Sequence, residues 1–149
     1  MPQSKSKILI ADDNPTNVEL LEAYLLELDC EISIAEDGQQ TLDKVAEDPP
    51  DLILLDIMMP HVNGFEVCKQ LKQNPETRSI MILMVTALGE EGDIERAVAA
   101  GTNDFLSKPI HKIELVKRVQ NMLELRHISD EVERLRQYIN RMDDSSGPQ

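Results

Sequence analysis

The chain has 149 residues, 41% hydrophobic and 29% charged, with a formal net charge of −13. That length and balance suit a soluble globular domain with an appendage, and no apolar run approaches the ~20 residues of a membrane span. The acidic excess repels phosphate backbones, so direct nucleic-acid binding is not expected, and residues 1–7 lack the apolar core of a signal peptide, which makes the cytoplasm the expected compartment.

The first strand is Lys7-Ile8-Leu9-Ile10-Ala11, a continuous apolar run of the kind covered on both faces of a sheet. Asn14 or Thr16 can cap the helix that follows, where Val18, Leu21, Leu25 and Leu28 repeat at helical spacing. Ile32-Ser33-Ile34-Ala35 predicts a second strand, and Gly38 opens a helix with Leu42, Val45 and Ala46 inward. Pro49-Pro50 stops that helix before Asp51-Leu52-Ile53-Leu54-Leu55, the most apolar run in the chain. Asn63-Gly64 turns into a helix carrying Val67, Cys68 and Leu71, and Ile80-Met81-Ile82-Leu83-Met84-Val85 is the fourth strand. Ile94, Ala97, Val98 and Ala100 mark a fourth helix ended at Gly101, and Asp104-Phe105-Leu106-Ser107 is a short fifth strand. From Ile110 the helical pattern runs to Met142. Strand–helix alternation with two-sided burial predicts an α/β fold, a (βα)5 chain forming an open parallel five-stranded sheet with helices on both faces.

Ligand sites in such sheets form outside the carboxyl ends of the strands. Strand one ends in Asp12-Asp13, strand three in Asp56, strand four in Thr86 and strand five in Lys108, so three carboxylates, a hydroxyl and an ammonium should share one edge. Crowded carboxylates repel unless a cation lies between them, and an all-oxygen set suits hydrated Mg²⁺. Lys108 and Thr86 would then face phosphoryl oxygens, and carboxylates are competent nucleophiles toward phosphorus. Taken singly, each residue has a plainer reading: helix-capping acids at Asp12 and Asp13, a loop acid at Asp56, a cap at Thr86, a surface lysine at Lys108. Their joint occurrence at one sheet edge favours the site. Cys30 and Cys68 read as reduced structural thiols, and His61, in the loop after Asp56, and His111 and His127, on the last helix, as surface histidines without a metal role.

Residues 5 to about 124 resemble response-regulator receiver domains. The resemblance rests on Asp12-Asp13, on Leu54-Leu55-Asp56-Ile57-Met58-Met59-Pro60, on Asn63-Gly64, on Thr86-Ala87, on Lys108-Pro109 and on the spacings from Asp56 to Thr86 and Lys108. It implies that Asp56 accepts a phosphoryl group from a histidine kinase or histidine phosphotransfer protein, with no turnover of an external substrate. It further implies Mg²⁺ bound by Asp13, Asp56 and the Met58 main-chain carbonyl, with Asp12 acting through water. Thr86 and Phe105 correspond to the family's switch pair, Thr86-Ala87 and Lys108 to its phosphoryl-binding residues, and Lys108-Pro109 to a bond that is cis in the family, which proline permits. Met58 and Leu88 occupy two variable positions that tune phosphate lifetime, and neither offers a group to orient an attacking water. Two other readings compete: a Mg²⁺-dependent phosphatase that uses an aspartyl phosphate on an external substrate, and a pseudo-receiver that only binds partners. The adjacent Asp12-Asp13 without a cap-sized insertion argues against the first, and the intact acid, Thr86 and Lys108 set against the second.

Residues 1–109 carry 8 Lys/Arg against 21 Asp/Glu, the whole of the −13, whereas residues 110–149 carry 7 against 7. This shift, and the length of the last helix, divide the chain into a receiver over 1–124, an extended signalling helix over 125–142 and a disordered tail over 143–149. Leu125, Ile128, Val132, Leu135, Ile139 and Met142 form a heptad seam, with Glu131 at g and Arg136 at e placed to attract across a parallel pair. The seam predicts a homodimer; the alternatives are a helix folded back on its own domain and a frayed extension. In the family such helices join a receiver to an output domain, and this body is most similar to receivers that precede diguanylate cyclase domains, so a downstream output domain or effector is expected.

Overall fold

The computed structural model describes residues 5–87 and 91–145, the side chains of residues 86, 91 and 143–145 excepted. Five strands alternate with five helices: β1 (Ser6–Ala11), α1 (Pro15–Tyr24), β2 (Cys30–Ala35), α2 (Gly38–Glu47), β3 (Leu52–Leu55), α3 (Gly64–Gln73), β4 (Met81–Thr86), α4 (Glu91–Ala100), β5 (Asp104–Ser107) and α5 (Lys112–Ser145). The strands form one sheet in the order β2-β1-β3-β4-β5, and every pairing is parallel.

The period of two along each strand divides the core into two layers. Ile8, Ile10, Leu52, Leu54, Leu83 and Val85 face α1 and α5, packing on Leu21, Leu115 and Val119. Leu9, Ile53, Leu55, Ile82 and Met84 face the other way, onto Val45 of α2, Val67 and Leu71 of α3 and Ala97 of α4. Burying both faces explains why the strands read as unbroken apolar runs.

Helix starts follow local chemistry. Asn14, rather than Thr16, caps α1, its side chain accepting from the amides of Thr16 and Asn17 with Pro15 in the first turn. Asp37 caps α2 through the Gln40 amide, and Asn63 caps α3 through the Glu66 amide. Gly101, at φ 92°, takes the left-handed conformation that closes α4.

Four local expectations are corrected. α1 stops at Tyr24, and Leu25 serves as its C-cap while remaining fully buried, so the apolar spacing continues past the helix through a turn. Thr41, not Ala46, shares the inner face of α2 with Val45, because its hydroxyl donates to the Asp37 carbonyl and is thereby satisfied inside. His111 precedes α5, its carbonyl accepting the first helical bond from the Leu115 amide. α5 runs through Asp143 and Asp144 to Ser145, past the expected end at Met142, since no Gly or Pro occurs before Gly147-Pro148. Residues 146–149 of the expected tail lie outside the described residues.

α5 changes character along its 34 residues. Leu115, Val116, Val119 and Met122 are buried against the sheet. Arg126 ties the helix to the body, its Nη1 donating to the Ser79 carbonyl at 3.0 Å and its Nε lying 3.8 Å from Asp51 Oδ1. The seam residues Leu125, Ile128, Val132, Leu135, Ile139 and Met142 are 44–59% exposed, so the rod does not fold back. Among the described residues, no helix is long and apolar enough to cross a membrane.

Candidate phosphoryl-acceptor and metal site

The carboxyl ends of β1 and β3 sit side by side in register, Ala11 opposite Leu55, so the residues that follow them emerge together. The Asp12 amide donates to the Ala35 carbonyl and the Asp56 amide to the Ala11 carbonyl, which holds both backbones in the sheet as the side chains turn to its edge. Asp12, Asp13 and Asp56 each present a carboxylate oxygen, and these atoms all lie within 4.8 Å of one another. Asp12 and Asp56 are buried, and Asp13 is exposed.

Lys108 closes the cluster from the end of β5. Its Nζ stands 3.5 Å from Asp12 Oδ2 and 3.5 Å from Asp56 Oδ2. The Lys108–Pro109 peptide bond is cis. The remaining oxygens are engaged by amides, with Asn14 donating to Asp12 Oδ1 at 2.9 Å and Met58 to Asp56 Oδ1 at 3.1 Å. Burial pushes the Asp56 carboxyl above its usual range and the Asp12 charge adds to that, while the Met58 amide and Lys108 pull the other way.

These residues fit a divalent cation. Three carboxylates facing one ammonium leave two negative charges uncompensated when all are ionised, and every donor is a hard oxygen. Mg²⁺ there would be held by the carboxylates of Asp13 and Asp56, with Asp12 adjacent.

The other expected residues are placed less fully. Thr86 ends β4, paired through its backbone with Ser107, and Ala87 follows, exposed. The Thr86 hydroxyl and Leu88 lie outside the described residues. Phe105 pairs with Met84 and is half-buried, packed against the core. Met58 is 64% exposed beside the cluster. His61 sits in the following loop at φ 69°, exposed, and His127 pairs with Glu131 one turn along α5 at 3.1 Å, so neither joins the acids. Cys30 and Cys68 are free, and burial raises the Cys68 thiol to about 11.

Two features were not foreseen. Asn14 fixes Asp12 as well as capping α1, which an Asp-x-Asn run before a proline could have signalled. Arg96 of α4 stacks on Phe65 of α3, 4.1 Å from the ring centre, a contact that no local pattern announces.

Residues 8–120 match the family model described as response regulator receiver domain. The response regulator PleD of Caulobacter vibrioides is 43% identical over 127 residues, which is 85% of this chain and 28% of that protein, so the chain spans less than a third of this relative. Among solved structures, the signal receiver domain of a histidine kinase from Syntrophus aciditrophicus superposes with a TM-score of 0.75 at 31% identity, covering 80% of this chain and 90% of that one. The receiver domain of the Pseudomonas aeruginosa sensor histidine kinase PA1611, solved with a magnesium ion coordinated in its active-site cleft, gives a TM-score of 0.75 at 30% identity over 81% of this chain and 99% of that one.

Proposed function

We propose, since the chain belongs to the response regulator receiver domain family, that it is a phosphorylation-gated signalling module in which Asp56 accepts a phosphoryl group from a histidine kinase or histidine phosphotransfer protein. The observation that carries this reading is the meeting of the Asp12, Asp13 and Asp56 carboxylates with Lys108 at one sheet edge.

Phosphoryl transfer asks mainly for positioning and charge stabilisation. Asp56 is positioned by the Met58 amide on one oxygen and Lys108 near the other. A carboxylate oxygen of Asp56 bonds to phosphorus as the P–N bond to the donor's imidazole breaks, and the electron pair leaves with the ring. Lys108, shared between Asp12 and Asp56 before transfer, neutralises phosphoryl oxygens after it. Mg²⁺, when bound by Asp13, Asp56 and the Met58 carbonyl, with Asp12 reached through water, supplies further compensation of phosphate charge. Thr86-Ala87 meets the phosphoryl group from β4, and Phe105 follows the Thr86 hydroxyl as the switch. The chain turns over no external substrate beyond its own phosphorylation and dephosphorylation, and it works in the cytoplasm.

The output runs through α5. Its exposed seam pairs two copies in parallel, and a change in receiver packing on phosphorylation passes along the rod to an output domain or effector. Incubation with acetyl phosphate and Mg²⁺, followed by intact-mass measurement, tests the acceptor. One phosphoryl group should appear, EDTA should abolish it, and an Asp56→Asn variant that gains the same mass would overturn the assignment.

A further inference from the structure

Two cavities run outward from the acid cluster along the groove between α3 and α4. The inner one, about 400 Å³, has Asp13 and Met58 on one side and Arg96 on the other. The outer one, about 300 Å³, continues past Lys69, and the two share Asn63, Phe65 and Arg96. Arg96 therefore stands where the groove opens toward the metal-binding acid.

Its state differs from that of three other cations of the chain, Lys108, Arg118 and Arg126. Lys108 is shared between two carboxylates. Arg118 is bound to Asp104 at 2.6 Å and Arg126 lies against Asp51 and Asp130. The described contact of Arg96 is the face of Phe65, at 4.1 Å. A guanidinium lying on a ring keeps its edge N–H groups free and already ordered, which suits two-pronged donation to a phosphate. An incoming phosphoryl donor is itself anionic and must approach a chain of net charge −13 beside an exposed carboxylate, Asp13. A positive group at the mouth offsets that repulsion along the path of approach.

We propose that Arg96 is a donor-capturing residue, which draws the dianionic phosphoryl group of a small donor into the groove and hands it toward Asp56. The inference rests on the reading of Asp56 as acceptor. With acetyl phosphate, the Asp56 oxygen bonds to phosphorus while the P–O bond to the acetyl group breaks and acetate departs with the electron pair. Arg96 acts before that step, so it governs the concentration of donor needed and leaves the saturated rate alone.

The test is labelling of the full chain with Mg²⁺ and two donors, acetyl phosphate and the less negatively charged phosphoramidate, across ionic strengths. At low salt, Arg96→Gln should lower the second-order rate with acetyl phosphate by roughly three- to tenfold, with a smaller loss for phosphoramidate and both losses fading as salt is added. Arg96→Lys, which keeps the charge but not the fork, should recover part of the rate. Equal rates for wild type and Arg96→Gln overturn the proposal. So does a loss that is the same for both donors and insensitive to salt, because that marks a structural effect on the site. A wild type that takes no label from either donor overturns the acceptor reading instead.

Discussion

Gly64 packs so closely on Asp56 that a Cβ at position 64 would stand 2.5 Å from the Asp56 carbonyl oxygen, and 2.7 Å from the Ile57 Cα. Both are backbone atoms, so no side chain can swing aside. The Gly64 amide also donates to the Ile57 carbonyl at 2.9 Å, which stitches the start of α3 to the segment carrying Asp56. Gly64→Ala should therefore cost about 1–3 kcal/mol through forced backbone movement. It should lower the melting temperature by several degrees and slow labelling of Asp56. A variant with wild-type melting and labelling rate would show that the loop yields freely.

Asp56 links stability to pH. Its folded pKa is raised, chiefly by burial, so the folded state holds the proton more tightly than the unfolded one. Stability is then highest where Asp56 is protonated in both states. It falls as pH rises between the unfolded and folded pKa values, and above that window the full penalty remains. Asp56→Asn keeps an oxygen for the Met58 amide and removes the buried charge. Without Mg²⁺ it should melt above wild type at pH 7, with the gap closing as the pH is lowered toward about 4, the usual carboxylate range. A gap that stays constant across this range would contradict the linkage.

Mg²⁺ should raise the melting temperature of the wild type, because binding to the folded acid cluster stabilises that state by mass action. Asp13→Asn should blunt the response most while leaving apo stability nearly unchanged, since Asp13 is exposed and Asp12 and Asp56 are buried. Thermal scans against Mg²⁺ concentration read both effects. An Asp13→Asn protein with the wild-type Mg²⁺ midpoint would remove Asp13 from the ligand set.

His61 holds φ at 69°, a conformation that costs an ordinary L-residue roughly 1–2 kcal/mol and glycine almost nothing. Its side chain is exposed and belongs to no described hydrogen bond or ion pair. His61→Gly should thus be neutral to stabilising, the relief of strain offsetting the greater unfolded-state freedom of glycine. Chemical denaturation measures it, and a loss above ~1 kcal/mol would show that the imidazole makes a stabilising contact.

The strands and their acidic ends were legible because burial on both faces leaves an unbroken apolar run, and a polar residue at its end then stands out. The end of α1 was hidden. Leu25 and Leu28 keep helical spacing although the chain has already turned, since both still pack on the α1–α5 layer. Ala46 misled for a related reason: side-chain polarity suggested it should be inside, but Thr41 can satisfy its hydroxyl within its own helix. The close approach of Gly64 to Asp56 and the stacking of Arg96 on Phe65 depend on tertiary packing between elements, which local periodicity does not carry.

The rod should make the chain a parallel dimer. All six seam residues, Leu125 to Met142, are 44–59% exposed in the single chain, an apolar stripe along the outer part of α5. Orientation follows from charge. In a parallel pair Glu131 at g meets Arg136 of the other copy at e, whereas an antiparallel pair brings g against g and e against e and loses that attraction. Glu131 also pairs with His127 within its own helix at 3.1 Å, so a single reversal disturbs two contacts. The informative comparison is therefore Glu131→Lys against the double variant Glu131→Lys/Arg136→Glu. The single change should weaken dimerisation and the double change should restore most of it. The seam holds fewer than three heptads, which makes a helix pair alone marginal, so packing between the receivers should add to the dimer. Sedimentation at tens of micromolar should give a dimer for the full chain and a monomer for a chain ending at Leu125. Equal monomeric masses for both would leave the seam without this role, and a double variant no stronger than the single one would argue for antiparallel pairing.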